Sequence, residues 1–109
     1  MQYVNINELS TKEVLPGYHG IFVHSKSITT VYWDIVAGHL LPEHSHKHEQ
    51  ILNLIEGEFE IILNGETQKI YSGAVVVIPS NALHSGKAIT HCKIIDIFHP
   101  VRKDYKFLF

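Results

Sequence analysis

Apolar and polar residues alternate along much of the chain, with the period of two that belongs to a β-strand. In the stretch Cys92-Lys93-Ile94-Ile95-Asp96-Ile97-Phe98-His99, one face carries Cys92, Ile94, Asp96 and Phe98. The other carries Lys93, Ile95, Ile97 and His99. Val31, Trp33 and Ile35 make a second stripe that reads as core, leaving Tyr32 and Asp34 as candidates for the mouth of a pocket. Runs rich in Val, Ile, Tyr, Phe and Thr predict strands over 20–24, 28–37, 50–55, 58–63, 67–71, 74–78 and 90–99. Asn64-Gly65 separates two of these runs and predicts a two-residue hairpin turn, because both turn positions need positive φ. Residues 7–14 predict one short helix, capped by Asn7 or Ser10, and no other segment keeps a helical period. Short strands at close spacing, with no linker or repeat, predict a single all-β domain over residues 1–109, a sandwich or small barrel.

Composition narrows the setting. The 109 residues are 45% hydrophobic and 18% charged, ordinary values for a globular fold. A chain of this size buries roughly 65% of its unfolded surface without disulfides or metals as staples. A formal charge of -2, with no block of lysine or arginine, argues against nucleic acid or a membrane surface as partner. The single cysteine, Cys92, has no internal disulfide partner and suits a reducing compartment. The opening Met1-Gln2-Tyr3-Val4-Asn5 lacks the pattern of a signal peptide, and no apolar run approaches the ~20 residues of a membrane span. A soluble cytoplasmic protein is the expectation.

The candidate chemistry is concentrated in His44-Ser45-His46-Lys47-His48-Glu49-Gln50. Histidine is the commonest metal ligand, and on a strand His44 and His46 would share a face and converge on one point. A further histidine, His84, follows Pro79, so a divalent-metal site is expected. His48 is set outside the ligands, His39 and His91 read as exposed, and His19, His24 and His99 as structural. Glu49 reads as a surface carboxylate or one that orients a histidine N–H. Asp96, between Ile94 and Phe98, must be paired, hydrogen-bonded or protonated. Two readings of it stay open: a carboxylate satisfied by a backbone N–H or an arginine, or an acid/base group on a cavity wall. Cys92 has no activating base nearby in sequence and reads as a buried thiol. The apolar end 106–109 is expected to pack on the barrel or on a second subunit.

These residues also carry a resemblance. Gly38, five residues, His44-x-His46, three residues, Gln50, six residues and Gly57 resembles the first cupin motif, over about 38–57. Gly73, five residues, Pro79, then Asn81, two residues and His84 resembles the second, over about 73–88. The resemblance implies a small jelly-roll barrel, a double-stranded β-helix, with one metal ion in its mouth. It implies His44, His46, Gln50 and His84 as ligands. Gln50 stands where the motif usually has glutamate. Its amide oxygen is neutral and a weaker ligand, so three imidazoles and an amide leave the ion its full charge. That favours an anionic substrate oxygen and Lewis-acid chemistry, and demotes oxygenases of the two-histidine, one-carboxylate type. Nickel, zinc, cobalt, iron and manganese all suit such a nitrogen-rich set. Asn81 replaces a glycine of the motif, a mild change because asparagine tolerates left-handed turns.

A narrower likeness runs from about Pro42 to Tyr105. The segments 42–50 and 56–60, with the ending Asp96-Ile97-Phe98-His99-Pro100-Val101-Arg102-Lys103-Asp104-Tyr105, resemble the KdgF-type pectin-degradation cupins. Members of that family open the ring of 4,5-unsaturated uronate monosaccharides left by pectate and alginate lyases, giving linear 4-deoxy-5-keto-uronates. The resemblance implies a small anionic sugar as partner, and Asp96, Phe98 and Arg102 as the catalytic set. Asp96 would be the acid/base, Arg102 would hold the carboxylate, and Phe98 would shape the pocket. It also implies a homodimer. The rival readings are another small metallocupin enzyme, a sugar isomerase or dioxygenase, and a cupin that binds a sugar or acid without turnover.

Overall fold

The computed structural model describes the backbone of residues 1–108 and the side chains of residues 1–106, so the apolar side chains expected to pack at 107–109 lie outside the described residues. The ten strands are β1 Lys12–Leu15, β2 Tyr18–His24, β3 Thr29–Ile35, β4 Leu40–His44, β5 Glu49–Glu56, β6 Glu58–Leu63, β7 Glu66–Tyr71, β8 Val75–Ile78, β9 His84–Ala88 and β10 Cys92–His99. A short helix, α1, covers Lys103–Leu108. Antiparallel pairing gives a six-stranded sheet, β1-β2-β3-β10-β5-β8, and a four-stranded sheet, β4-β9-β6-β7. From β3 onward, apart from the β6–β7 hairpin, the chain shuttles between the two sheets, the connectivity of a jelly roll.

The predicted alternation is what closes the two sheets on each other. Inward residues of the large sheet (Val31, Trp33, Ile35, Leu52, Leu54, Ile94) and of the small one (Phe59, Ile61, Ile70, Ala88) form one core. Gly86 on β9 makes room for that core, since a Cβ there would stand 2.4 Å from the Phe59 ring. The Asn64-Gly65 turn joins β6 to β7 with φ of 48° and 82°, as the hairpin signal requires.

The predicted helix over 7–14 is not formed. A 3-10 turn, Ile6–Glu8, is capped by Asn5, whose side chain accepts from the Asn7 N–H at 2.9 Å, and Lys12–Leu15 is strand. An isolated helix of two turns is barely stable. Pairing with β2, and packing of Val14 and Leu15 on the core, outweighs it. Two strands, β4 and β9, escape the sequence pattern because Pro42 and Gly86 depress their β-propensity. Pro42 is tolerated because β4 is an edge strand.

Candidate metal and acid site

β4 ends at His44, directly opposite His84, the first residue of β9. His46 is not on a strand at all. The chain leaves β4 after His44 and re-enters the ladder at Glu49, so His46 reaches the site from a bend, and strand alternation is not the reason it faces His44. The His44 and His84 ring centroids are 4.1 Å apart, those of His46 and His84 4.9 Å. One nitrogen from each of His44, His46 and His84 lies within 4.8 Å of the others, close enough for a single ion.

The tautomers follow from the backbone. Each ring places Nδ1 2.9 Å from a carbonyl two residues away: Pro42 for His44, His48 for His46, Ala82 for His84. A carbonyl only accepts, so Nδ1 carries the proton and Nε2 is left as a lone pair. His84 Nε2 is buried without a partner. His46 Nε2 stands 3.1 Å from Gln50 Oε1, one acceptor facing another. A cation between them resolves that opposition, so the donor set fits a divalent ion. Burial, with Arg102 and His84 nearby, lowers the His46 pKa to about 4, and burial also lowers that of His84, so both rings are neutral near pH 7. His48 contributes its carbonyl to His46 and is not part of the cluster.

The second half of the site comes from the large sheet. Phe98 on β10 pairs with Gln50 on β5, and Asp96 sits one inward step deeper. Asp96 is 7% exposed. Its Oδ2 accepts a hydrogen bond of 2.9 Å from Trp33 Nε1, and its Oδ1 lacks a well-formed partner. Burial raises the Asp96 pKa to about 6 against the opposing pull of Gln50, Trp33 and Arg102. The carboxylate is therefore met by an indole on the next strand and, less well aligned, by the Gln50 amide, neither the backbone N–H nor the arginine of the sequence reading. Gly20 allows this: a Cβ there would meet the Trp33 ring at 2.8 Å.

Arg102, just before α1, is buried and held on three sides. Its Nε and Nη2 donate to the Asp104 carboxylate at 3.0 and 2.8 Å, and its Cζ lies 4.8 Å from the Phe98 centroid and 4.1 Å from that of Tyr105. Its main-chain N–H donates to Thr29 Oγ1 at 2.8 Å. A cavity of about 50 Å³ joins these parts, lined by the three histidines, Gln50, Asp96, Phe98 and Arg102 among others.

Several residues fall elsewhere than expected. Tyr32 and Asp34 line a groove on the outer face of the large sheet, where Asp34 pairs with His91, and not the mouth. His39 is half-buried against Gly17. Cys92 is buried, its thiol donating to the Glu58 and Thr90 carbonyls, and burial pushes its pKa up. Trp33, Asp104, Tyr105 and Tyr18 are site-lining or site-holding residues that the sequence reading did not assign. Only the Trp33 partnership left a signal, as the inward stripe on a strand of matching length.

The Cupin domain family model matches residues 31–98. Comparison with curated proteins finds no match. Among solved structures, KdgF from Halomonas sp. superposes with a TM-score of 0.90 at 27% identity, covering 96% of this chain and 98% of that one. An RmlC-like cupin from Shewanella frigidimarina NCIMB 400 superposes at 0.91 and 21% identity, covering 96% of each chain. Salicylate 1,2-dioxygenase from Pseudoaminobacter salicylatoxidans, at 0.78 and 21% identity, shares the fold over 87% of this chain and 28% of its own.

Proposed function

Because the chain belongs to the cupin family, we propose that it is a metal-dependent enzyme opening the ring of 4,5-unsaturated uronate monosaccharides to linear 4-deoxy-5-keto-uronates. The observation that carries this reading is the single cavity lined by a three-histidine cluster, a buried Asp96 and an Arg102. The likeness to KdgF from Halomonas sp. over nearly the whole of both chains supports it.

His44, His46, His84 and Gln50 would hold the ion. Bound there, it supplies Lewis-acid polarisation of a substrate oxygen. Arg102, kept flat by Phe98 and Tyr105 and oriented by Asp104, attracts the uronate carboxylate. Phe98 forms the wall between this arginine and the His46 ring, whose centroid lies 5.6 Å from its own.

Asp96 does the proton chemistry. In its acid form it protonates C4 of the enol ether, and positive charge develops on C5 and the ring oxygen. Water adds to C5 and returns a proton to the Asp96 carboxylate. The hemiketal so formed breaks its C5–ring oxygen bond as the C5 hydroxyl proton passes to the ring oxygen, which leaves a ketone at C5 and a hydrate at C1 that loses one water to give the aldehyde. A pKa of about 6 suits a group that must both give and take a proton near neutrality.

The test is the loss of enol-ether ultraviolet absorbance of an unsaturated uronate monomer, with and without chelator. Acceleration over the spontaneous reaction that disappears on chelation is expected. No acceleration rejects the function, and acceleration that survives complete metal removal rejects the metal dependence alone.

A further inference from the structure

Tyr18 opens β2 and lines the same cavity. It pairs with Ile35, which pairs with Cys92, so its Cα lies level with the start of β10, well below Asp96. The side chain is 4% exposed and packs edge-on against Trp33, with centroids 5.8 Å apart. Its hydroxyl is buried and makes no hydrogen bond to the protein.

A buried hydroxyl without a partner lowers stability, and a core that needed only the ring would be served as well by phenylalanine. The placement is also selective. Of the buried polar side-chain atoms without partners, His84 Nε2, Asp96 Oδ1 and the Tyr18 hydroxyl belong to residues lining this one cavity. The His84 atom is explained by the metal site and the Asp96 atom by proton transfer. Tyr18 has no such role yet.

We infer that the Tyr18 hydroxyl is a recognition group for a neutral oxygen of the reacting system, either a hydroxyl of the sugar or the water that adds to the alkene. The inference rests on the proposed uronate chemistry. The cavity, about 50 Å³, has room for a hydroxyl or a few waters beside Tyr18, since one water needs roughly 10–15 Å³. Either a sugar hydroxyl or a water can therefore stand against the Tyr18 hydroxyl. Burial and the Asp96 carboxylate both keep the phenol protonated, so it offers a donor as well as an acceptor.

The Tyr18→Phe variant tests this, because it keeps the ring and removes only the hydroxyl. Its melting temperature is expected to equal or exceed that of the unaltered protein, while function is weakened. Turnover of the unsaturated monomer is followed by absorbance. Binding of the unreactive D-galacturonate is followed by fluorescence of Trp33, the only tryptophan. If the partner is a sugar hydroxyl, KM rises and galacturonate affinity falls by about fivefold to tenfold, with kcat nearly constant. If the partner is water, kcat falls by a similar factor while KM and galacturonate affinity hold. Unchanged kinetics overturn the inference, and so does a lowered melting temperature with parallel losses in every parameter. Should the unaltered protein fail to open the uronate, the reaction reading falls by itself. Tyr18-dependent galacturonate binding would then still sustain the inference, and binding that is absent or indifferent to Tyr18 would overturn it.

Discussion

The two halves of the site are built in opposite ways. The histidine half hangs on the small sheet and a bend: His44 and His84 face each other across one edge pairing, and His46 is carried by the loop between β4 and β5. Every ring there is oriented by a carbonyl two residues away, so its geometry is local. The acid half is laid across the large sheet, and its central contact, Trp33 to Asp96, joins residues 63 positions apart. One half is fixed by short-range hydrogen bonds, the other by strand register and packing. Damage to one should leave the other standing.

The largest expected effect separates them most cleanly. His84→Ala removes the buried member of the three-histidine cluster that could hold an ion. Metal affinity should drop by more than about 100-fold, beyond the loss typical of orienting partners, and turnover with it. Trp33 fluorescence should stay as it was, because the Asp96 contact is untouched. A changed tryptophan spectrum would mean that the halves are coupled. Asp96→Asn is the converse experiment. The variant should bind metal at full stoichiometry, measured by elemental analysis, and lose about 10²–10⁴-fold in kcat, the usual worth of a positioned acid/base. Retained activity would remove Asp96 from the mechanism.

The same contrast explains what the sequence disclosed. The all-β fold, the core stripe of β3 and the inward face of β10 follow from period two, which survives folding because one face of each strand is buried. His44 and His46 are conspicuous because histidines close in sequence announce themselves by spacing. That His46 arrives from a bend is hidden, since Ser45 and Lys47 carry no strong turn signal. The partner of Asp96 is hidden for a different reason. It depends on Asp96 pairing with Val31, a register set by two sheets closing on a common core. Tyr18 is hidden further still, at the start of a strand whose neighbour β1 overlaps, at residues 12–14, the stretch that the local pattern predicts as helix.

Gly20 gives an intermediate test, aimed at packing in the acid half alone. Alanine there would bring a Cβ to 2.8 Å from the Trp33 ring and 3.0 Å from that of Phe22. Neither ring is a flexible tip, so the indole has to move and its N–H leaves Asp96. The expected cost is about 1–3 kcal/mol of stability, as for other overpacked cores, read from denaturant midpoints. Turnover should fall with metal content unchanged. A variant with normal stability and normal kcat would show that the Trp33 hydrogen bond is dispensable.

The smallest effect belongs to a place outside both halves. Gly65 sits in the β6–β7 turn with φ of 82° and nothing within 4 Å of where a Cβ would stand. Gly65→Ala therefore meets no clash, only the intrinsic penalty of an L-residue in the left-handed region, about 1–2 kcal/mol. β6 pairs with β9, whose first residue is His84, so the turn is linked to the histidine half through a single ladder. If that half is held by its own carbonyl contacts, the variant should melt earlier with metal affinity and kcat unchanged. Lower metal affinity at equal stability would mean that the hairpin, too, positions His84, and the histidine half would no longer count as locally built.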